Sequence, residues 1–507
     1  MAMTDLAPLR LFNSLTRQIE PFAPVHPGEA RVYSCGPTVY NYQHIGNMRA
    51  YVFADTLGRT LRFKGYTLRH IINITDVGHL TSDADAGDDK MEKAAASLGK
   101  SAWDIAAFYT GEFKLDLRRL NIRDPHRWTV ATDYVPQMIE AAKAIADAHC
   151  YQLPSGLYFD VSTVADYGRL ARAATEEGEG RIEEVEGKRH GADFAIWRNT
   201  PPGETRQMEW DSPWGRGAPG WHLECSVMSR AELGLPFDIH TGGIDHREIH
   251  HPNEIAQNQA IQGYDAQHGG LDCAQHSGAR IWMHNNFLID RGGKMSKSAG
   301  DFLRLQLLVD RGYHPLAYRL LCLQAHYRSE LEFSWGNLGA ALTRLKRMVM
   351  SVAALRERAD LPPIATPEGG WTAEQLAAGI GGKFAPFIAR FDAAVSDDLN
   401  TAVALTVLDE VIALKKVDAA QKLMVIAAMD GVLGLDLLAL SRADLRLRPI
   451  GATIGEAEIE ATLADRKAAR ADKDFARSDA LRDRLIAAGV EVMDGDPLGW
   501  DWRLDDG

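Results

Sequence analysis

Hydrophobic and polar positions change their period twice between Arg31 and about Ile74. RVYSCGPTVY is a β-rich run, YNYQHIGN a polar turn, RAYVFADTLGRTLRFKGY a stretch of helical pattern, and LRHIINIT a second apolar strand. Strand, turn, long helix and strand make the βαβ unit of a parallel sheet. The turn between the first strand and its helix is where such folds bind nucleotides. From about 125 to 215 the pattern breaks up: short strand-like pieces, GLYFDV and DFAIWR, lie among charged and Gly/Pro-rich stretches such as RNTPPGETRQMEWDSPWGRGAPG. That is expected of an insertion within the nucleotide-binding fold, and FDIH and NEIAQNQAIQG then resume the α/β pattern.

Beyond about residue 335 the period is helical. Leu338, Leu342, Leu345, Val349 and Val352 recur at spacings of three and four, as do Leu405, Leu408 and Ile412, the stripe of amphipathic helices packing in a bundle. LPPIATPEGG separates two of them, and LRLRPIGATIG reads as a linker to a small Arg/Lys-rich module ending GWDWRLDDG. The expected fold is α/β: a Rossmann-like parallel-sheet domain over 1–335 with an insertion at 125–215, a helical bundle over 336–448, and a small C-terminal domain over 449–507.

A chain of 507 residues accommodates such a division, and 46% hydrophobic with 25% charged residues is ordinary globular composition. The net charge of −13 gives no global attraction to nucleic acid, so a polyanion must be met by local basic patches. The first residues, MAMTDLAPLRLF, lack the pattern of a signal peptide, and LMVIAAMDGVLGLDLLAL carries Asp430 and Asp436, which suits a core helix rather than a membrane span. Cytoplasm and no membrane partner are the expectation, with a monomer as the default state. Cys35, Cys150, Cys225, Cys273 and Cys322 are odd in number and contain no CxxC pair, so free thiols or metal ligands are expected rather than a disulfide framework.

Two stretches carry chemistry. KMSKSAGDF places Lys294 and Lys297 three apart among small hydroxyl residues, a cationic clamp suited to charge developing on a leaving pyrophosphate. DHREIHHPNEIAQ gathers His246, Glu248, His250, His251 and Glu254. A zinc protease is a poor reading, because HREIH places its glutamate one residue later than that pattern requires. His250 and Glu254 are four apart around a helix start marked by Pro252, so both can face one ion. Whether such an ion holds the fold or meets a substrate stays open on these residues alone.

KMSKS is the signature loop of class I aminoacyl-tRNA synthetases, and HIGN, His44 to Asn47, stands at the strand-to-helix turn where the partner His-x-Gly-His signature belongs. Within that class the chain resembles the cysteinyl-tRNA synthetases, through YSCGPTVYNYQHIGN, LRFKGYTLRHIINITD, DFAIWR, DSPWGRGAPGWHLECS, FDIHTGGIDHREIHHPNEIAQ, KMSKS, SDDLNTA and DRKAARADKDFARSDALRDRL. The likeness runs from about residue 10 to the end, and GWHLECS is specific to this member. Departures are Asn47, which cannot carry a positive charge, the segment VGHLTSDADAGDDKMEKAAASLGK, and HHPNE where HHENE is common.

The resemblance implies a ligase that activates L-cysteine with ATP as cysteinyl-adenylate and transfers it to the 3′ end of tRNA-Cys. It implies one Zn2+ held by Cys35, Cys225, His250 and Glu254, with Mg2+ accompanying ATP. His44, Asn47, Lys294 and Lys297 take the catalytic positions; His44, Gly46, Asp245 and Lys297 those of ATP; Gly36, Thr75, Trp221 and His240 those of the amino acid. His246 and His251 are then neighbours without a ligand role. The 285–335 region contains the KMSKS loop and meets the tRNA stem, and the C-terminal module reads the anticodon. There Arg466, Lys467, Arg470, Lys473, Arg477, Arg482 and Arg484 offer phosphate contacts, and Phe475, Trp500 and Trp502 offer faces for unpaired bases. A zinc that coordinates a thiolate discriminates against serine where shape alone is weak. A cysteine ligase of the same fold that acts on a small amine in thiol-cofactor synthesis would share the zinc and adenylate residues, but it has no anticodon to read. A non-catalytic paralogue of this fold is disfavoured by the intact KMSKS and ligand set.

Overall fold

The computed structural model describes residues 6–77, 90–164, 166–171, 186–263, 276–290, 303–359, 367 and 369–504. Its centre is a five-stranded parallel sheet. The strands are β1 (Glu29–Ser34), β2 (Thr67–Ile74), β3 (Arg127–Val130), β4 (Phe237–Gly243) and β5 (Ala279–Asn285). They lie in the order β5-β4-β1-β2-β3 and all pair in parallel. The chain leaves β1 in one direction across the sheet and returns later in the other, so the crevice beyond the carboxyl ends of β1 and β4 is the switch point at which open α/β sheets bind ligands.

Helix α1 (Ile45–Phe63) joins β1 to β2, as the change of period predicts, and fifteen of its nineteen residues are buried. Helices α2 (Trp221–Leu233) and α3 (His250–Ile261) flank β4 in sequence and carry the metal-ligand motifs. The expected insertion contains a four-stranded antiparallel sheet built from Cys150–Leu153, Gly156–Phe159, Phe194–Asn199 and Gly217–Pro219. Its start differs from the reading of the sequence, because Arg127–Val130 lies within 125–215 and yet forms the edge of the main sheet. Four residues, RWTV, are too short to show the period of a buried strand.

After the sheet comes helix Trp335–Ala359, which buries Leu338, Leu342, Leu345, Val349 and Val352. It is followed by helices Ala385–Ser396, Thr401–Ala413 and Ala419–Leu433. A charged node fastens this bundle to α1. Asp55 of α1 accepts from Arg59 Nε at 2.7 Å and from Arg319 Nη2 at 2.6 Å. Arg319 also donates to Leu433 O and Leu120 O, and Arg59 to Gly431 O and Asn121 O. The C-terminal module has its own core of Ile454, Ile459, Leu485, Val490, Trp500 and Trp502.

Candidate active site and metal centre

Cys35 follows β1 directly, and its N–H donates to Thr241 O of β4 at 3.1 Å, which places the thiol over the switch point. Cys225 enters from α2, fully buried. His250 and Glu254 stand one turn apart on α3, so both face the same space. That helix begins two residues before Pro252, whose missing N–H costs nothing among the first four unpaired donors.

One ligand atom from each of Cys35, Cys225, His250 and Glu254 lies within 4.8 Å of the other three. His250 Nε2 approaches Glu254 Oε1 to 2.9 Å, yet that oxygen has no partner in hydrogen-bonding geometry. The two atoms share a space rather than a proton. His250 is held by its other nitrogen, 2.8 Å from His222 Nδ1, as metal-ligating histidines are held. Two sulfurs, an imidazole and a carboxylate form a donor set that suits a tetrahedral zinc-like ion.

A second group, Cys35, His240, His251 and Glu254, meets the same distance limit. In it His240 Nε2 lies 2.8 Å from Glu254 Oε2 and His251 Nε2 3.3 Å from Cys35 Sγ, while His251 Nδ1 lies 2.8 Å from His284 Nε2, whose Nδ1 reaches Ser14 Oγ at 2.8 Å; the two groups share Cys35 and Glu254 and differ in offering two histidines rather than a second sulfur and one histidine. His240 therefore orients a ligand of the first group. His222 lies within the GWHLECS motif, whereas His284 and Ser14 carry no signal in sequence; the fold brings all three to the site.

The electrostatics favour a cation. Burial raises the Glu254 carboxyl, but His240 and His250 beside it bring it down to about 2. Burial disfavours the His250 cation, but Glu254 and Cys35 raise that ring to about 10. Burial also opposes the Cys35 thiolate, yet the Cys225 thiol and the surrounding histidines bring Cys35 well below its ordinary value, while Cys225 rises through its hydrogen bond to Cys35.

Beside the quartet, Thr75 is 1% exposed, and the indole of Trp221 lies 4.1 Å from the His250 ring. Gly36 is obligatory, because a Cβ there would lie 1.5 Å from Asn73 O. Asn73 and Glu224 complete this wall and were not singled out in sequence. Burial pushes the Glu224 carboxyl up to about 8, and a cationic group placed against it favours the charged form.

At the other side of the crevice, His44 is the N-cap of α1. Its Nδ1 accepts from the Asn47 N–H at 3.1 Å, and Asn47 Oδ1 accepts from the His44 N–H at 3.3 Å. This reciprocal capping box gives Asn47 a local structural task beside the catalytic position expected of it. Gly46 leaves room for the imidazole, since a Cβ there would lie 2.9 Å from His44 Nδ1. The start of α1 carries the positive end of the helix dipole, a setting suited to phosphate. Asp245 is exposed in the turn after β4. Lys294 and Lys297 lie outside the described residues; the chain that follows them returns to the same turn, with Leu303 O accepting from Ile45 N at 2.9 Å.

In the C-terminal module the structure corrects one expectation. Trp500 is 0% and Trp502 3% exposed, so both are core residues and offer no face to a base. Their WDW alternation belongs to a strand, Trp500–Trp502, paired with Val490–Val492. Phe475 is 62% exposed at the start of helix Phe475–Ala487. Arg466 and Arg470 pair with Asp494, and Arg484 with Glu458.

Residues 21–343 match the family model described as the tRNA synthetases class I (C) catalytic domain, and residues 455–503 match the cysteinyl-tRNA ligase anticodon binding domain. The chain belongs to the cysteine–tRNA ligases. The Cysteine–tRNA ligase of Novosphingobium aromaticivorans is 73% identical, over 98% of this chain and 97% of its own length. That of Zymomonas mobilis is 54% identical, over 98% of both chains. Among solved structures, the ternary complex of Agrobacterium radiobacter K84 agnB2 LeuRS with tRNA and LeuAMS gives a TM-score of 0.52 at 12% identity, covering 84% of this chain and 85% of that one. Methionyl-tRNA synthetase of Mycobacterium tuberculosis in complex with methionyl-adenylate gives 0.51 at 14% identity, covering 82% and 93%. At these identities the likeness is one of fold, and it is the class I fold expected of a cysteine–tRNA ligase. Among the described residues, no helix is long and apolar enough to cross a membrane.

Proposed function

We propose that this cysteine–tRNA ligase selects L-cysteine at a Zn2+ site formed by Cys35, Cys225, His250 and Glu254, activates it with ATP and Mg2+, and passes it to tRNA-Cys. The observation that carries the reading is the convergence of these four ligand atoms within 4.8 Å at the switch point of the sheet. Zinc held by these residues would supply a soft Lewis acid, which takes a thiolate far better than a serine hydroxyl. Trp221 closes the pocket over a small side chain, Thr75 and Gly36 line it, and His240 orients Glu254.

His44, at the head of α1, and Gly46 beside it receive the triphosphate, with Asp245 toward the ribose. Lys294 and Lys297 balance the charge that moves onto the leaving pyrophosphate. Neither step needs a protein nucleophile, because the substrate carboxylate attacks the α-phosphate and a ribose hydroxyl of the tRNA takes the acyl group. The protein's task is positioning and charge balance.

The domain over 1–335 carries the chemistry, with the 285–335 segment against the tRNA stem, the 336–448 bundle as the arm, and 449–507 at the anticodon. Phe475, with Lys473 and Arg477 beside it, is the base-stacking element of that module. A monomer acting in the cytoplasm is the setting this reading takes. Its test is metal content by elemental analysis. Purified wild type should carry one zinc per chain, and His250→Ala and Glu254→Gln should lose most of it along with cysteine activation. A wild type free of zinc yet fully active with cysteine would overturn the reading.

A further inference from the structure

The C-terminal module hangs from the rest of the molecule by a short run of chain. Leu445 is still buried in the main core, and the module's own core begins at Ile454. Parts joined in this way move relative to each other unless contacts between them prevent it. Here three sets of contacts do so, and the most specific is ionic. Asp501, 6% exposed in the strand Trp500–Trp502, accepts from Arg442 Nη2 at 2.5 Å and from Lys346 Nζ. Lys346 stands on helix Trp335–Ala359, and Arg356 of that helix donates to Leu438 O in the segment that leads to Arg442. Both cations therefore belong to the body and the carboxylate to the module. Arg442 Nε donates in addition to Asp496 Oδ2 of the module at 2.8 Å.

The second contact is the Arg446 guanidinium, 3.7 Å over the Trp500 ring. The third is apolar: Leu504 packs against both cores, and a Cβ on Gly312, at φ +89°, would lie 2.8 Å from Leu504 Cδ2 and 3.0 Å from Pro449 Cγ. A buried ion pair contributes little net stability but fixes an arrangement, because a module that swings away strands its partners' charges. A tRNA that reaches the body with its 3′ end and the module with its anticodon binds more weakly by whatever fraction of molecules holds the module elsewhere. We propose that Asp501, Arg442 and Lys346 form a clasp that holds the module in its tRNA-binding orientation before the tRNA arrives. They are positioning residues, acting through the module and touching no substrate. The proposal rests on the reading that this module meets the anticodon.

The test uses the full chain and two readouts. Trypsin cleavage after Arg446 reports release, because the Trp500 ring covers that guanidinium only while the module is docked. Charging of full tRNA is compared with charging of an RNA minihelix that keeps the acceptor stem and 3′ end and lacks the anticodon stem. Arg442→Gln and Lys346→Met lie outside the module and leave its core intact. Each should speed cleavage at Arg446 by about tenfold or more. Each should raise KM for tRNA by about tenfold, as loss of nine-tenths of the competent fraction requires. ATP–pyrophosphate exchange with cysteine and KM for the minihelix should not change, and Lys346→Arg should behave as wild type in every assay. Cleavage of wild type as fast as of the variants would show that nothing holds the module, and overturn the proposal. So would faster cleavage with an unchanged or lowered KM for tRNA, since the held orientation would then not be the one that binds. Equal losses with tRNA and minihelix would place the damage in the body and overturn it too. A wild type that charges the minihelix at the same KM as tRNA would instead sink the anticodon reading itself, which tells the two failures apart.

Discussion

Asn47 stands where the signature turn of this class otherwise has a second histidine, and the capping box shows what the amide does there. Its Oδ1 satisfies the His44 N–H while its own N–H holds His44 Nδ1, so the imidazole is oriented through that nitrogen. Asn47→Ala keeps the backbone bond and loses the side-chain one. It should lower unfolding stability by about 1 kcal/mol, the usual cost of losing a cap contact, as read from urea titration. ATP–pyrophosphate exchange should fall with it; full activity together with full stability would show that the cap is dispensable. At this scale the sequence was legible where a residue's own chemistry declares it, as for Cys35, Cys225, His250 and Glu254. It gave no role to Asn73, Glu224 and His222, which sit inside quoted motifs, or to His284, until the fold sets them 2.7–3.1 Å from a partner.

The elements follow the apolar periods closely. The βαβ unit, helix Trp335–Ala359 and helix Thr401–Ala413 lie where their apolar periods predict, because each buries a long face whose period is unmistakable. Short elements are harder to see. RWTV joins the parallel sheet by four residues, and WDW turns its tryptophans into a small core rather than toward RNA. The latter yields a paired prediction. Trp500→Ala removes a buried indole and should cost about 3–5 kcal/mol within the C-terminal module, seen as a low-temperature unfolding transition. Phe475→Ala should leave thermal unfolding unchanged and reduce tRNA charging through KM for tRNA, with cysteine activation intact. If Phe475→Ala charges tRNA at wild-type KM, Phe475 does not stack on a base.

Across the whole molecule, two charged nodes set the relation of the parts. Asp55, Arg59 and Arg319 join α1 to the bundle, and Asp501 joins the C-terminal module to Lys346 and Arg442 while Arg446 lies 3.7 Å over the Trp500 ring. Burial raises the Asp55 carboxyl, but Arg59 and Arg319 bring it from 3.8 down to about 2. Because the folded value lies below the unfolded one, this group's contribution is present above pH 3.8 and is lost as pH falls through about 2. Asp55→Asn should flatten the acid limb of a stability-against-pH curve in that window. It should also destabilise the protein at neutral pH by about 3–5 kcal/mol, since two buried guanidinium groups lose their counter-charge. An acid limb identical to wild type would remove Asp55 from the account.

The claim on which the rest depends is that a metal held by Cys35, Cys225, His250 and Glu254 chooses the amino acid. ATP–pyrophosphate exchange with cysteine and with serine, on protein of known zinc content before and after chelation, tests it most directly. The account predicts exchange with cysteine and not serine, loss of that exchange when zinc is removed, and its return when zinc is restored. Exchange with cysteine that persists undiminished in zinc-free protein would contradict it.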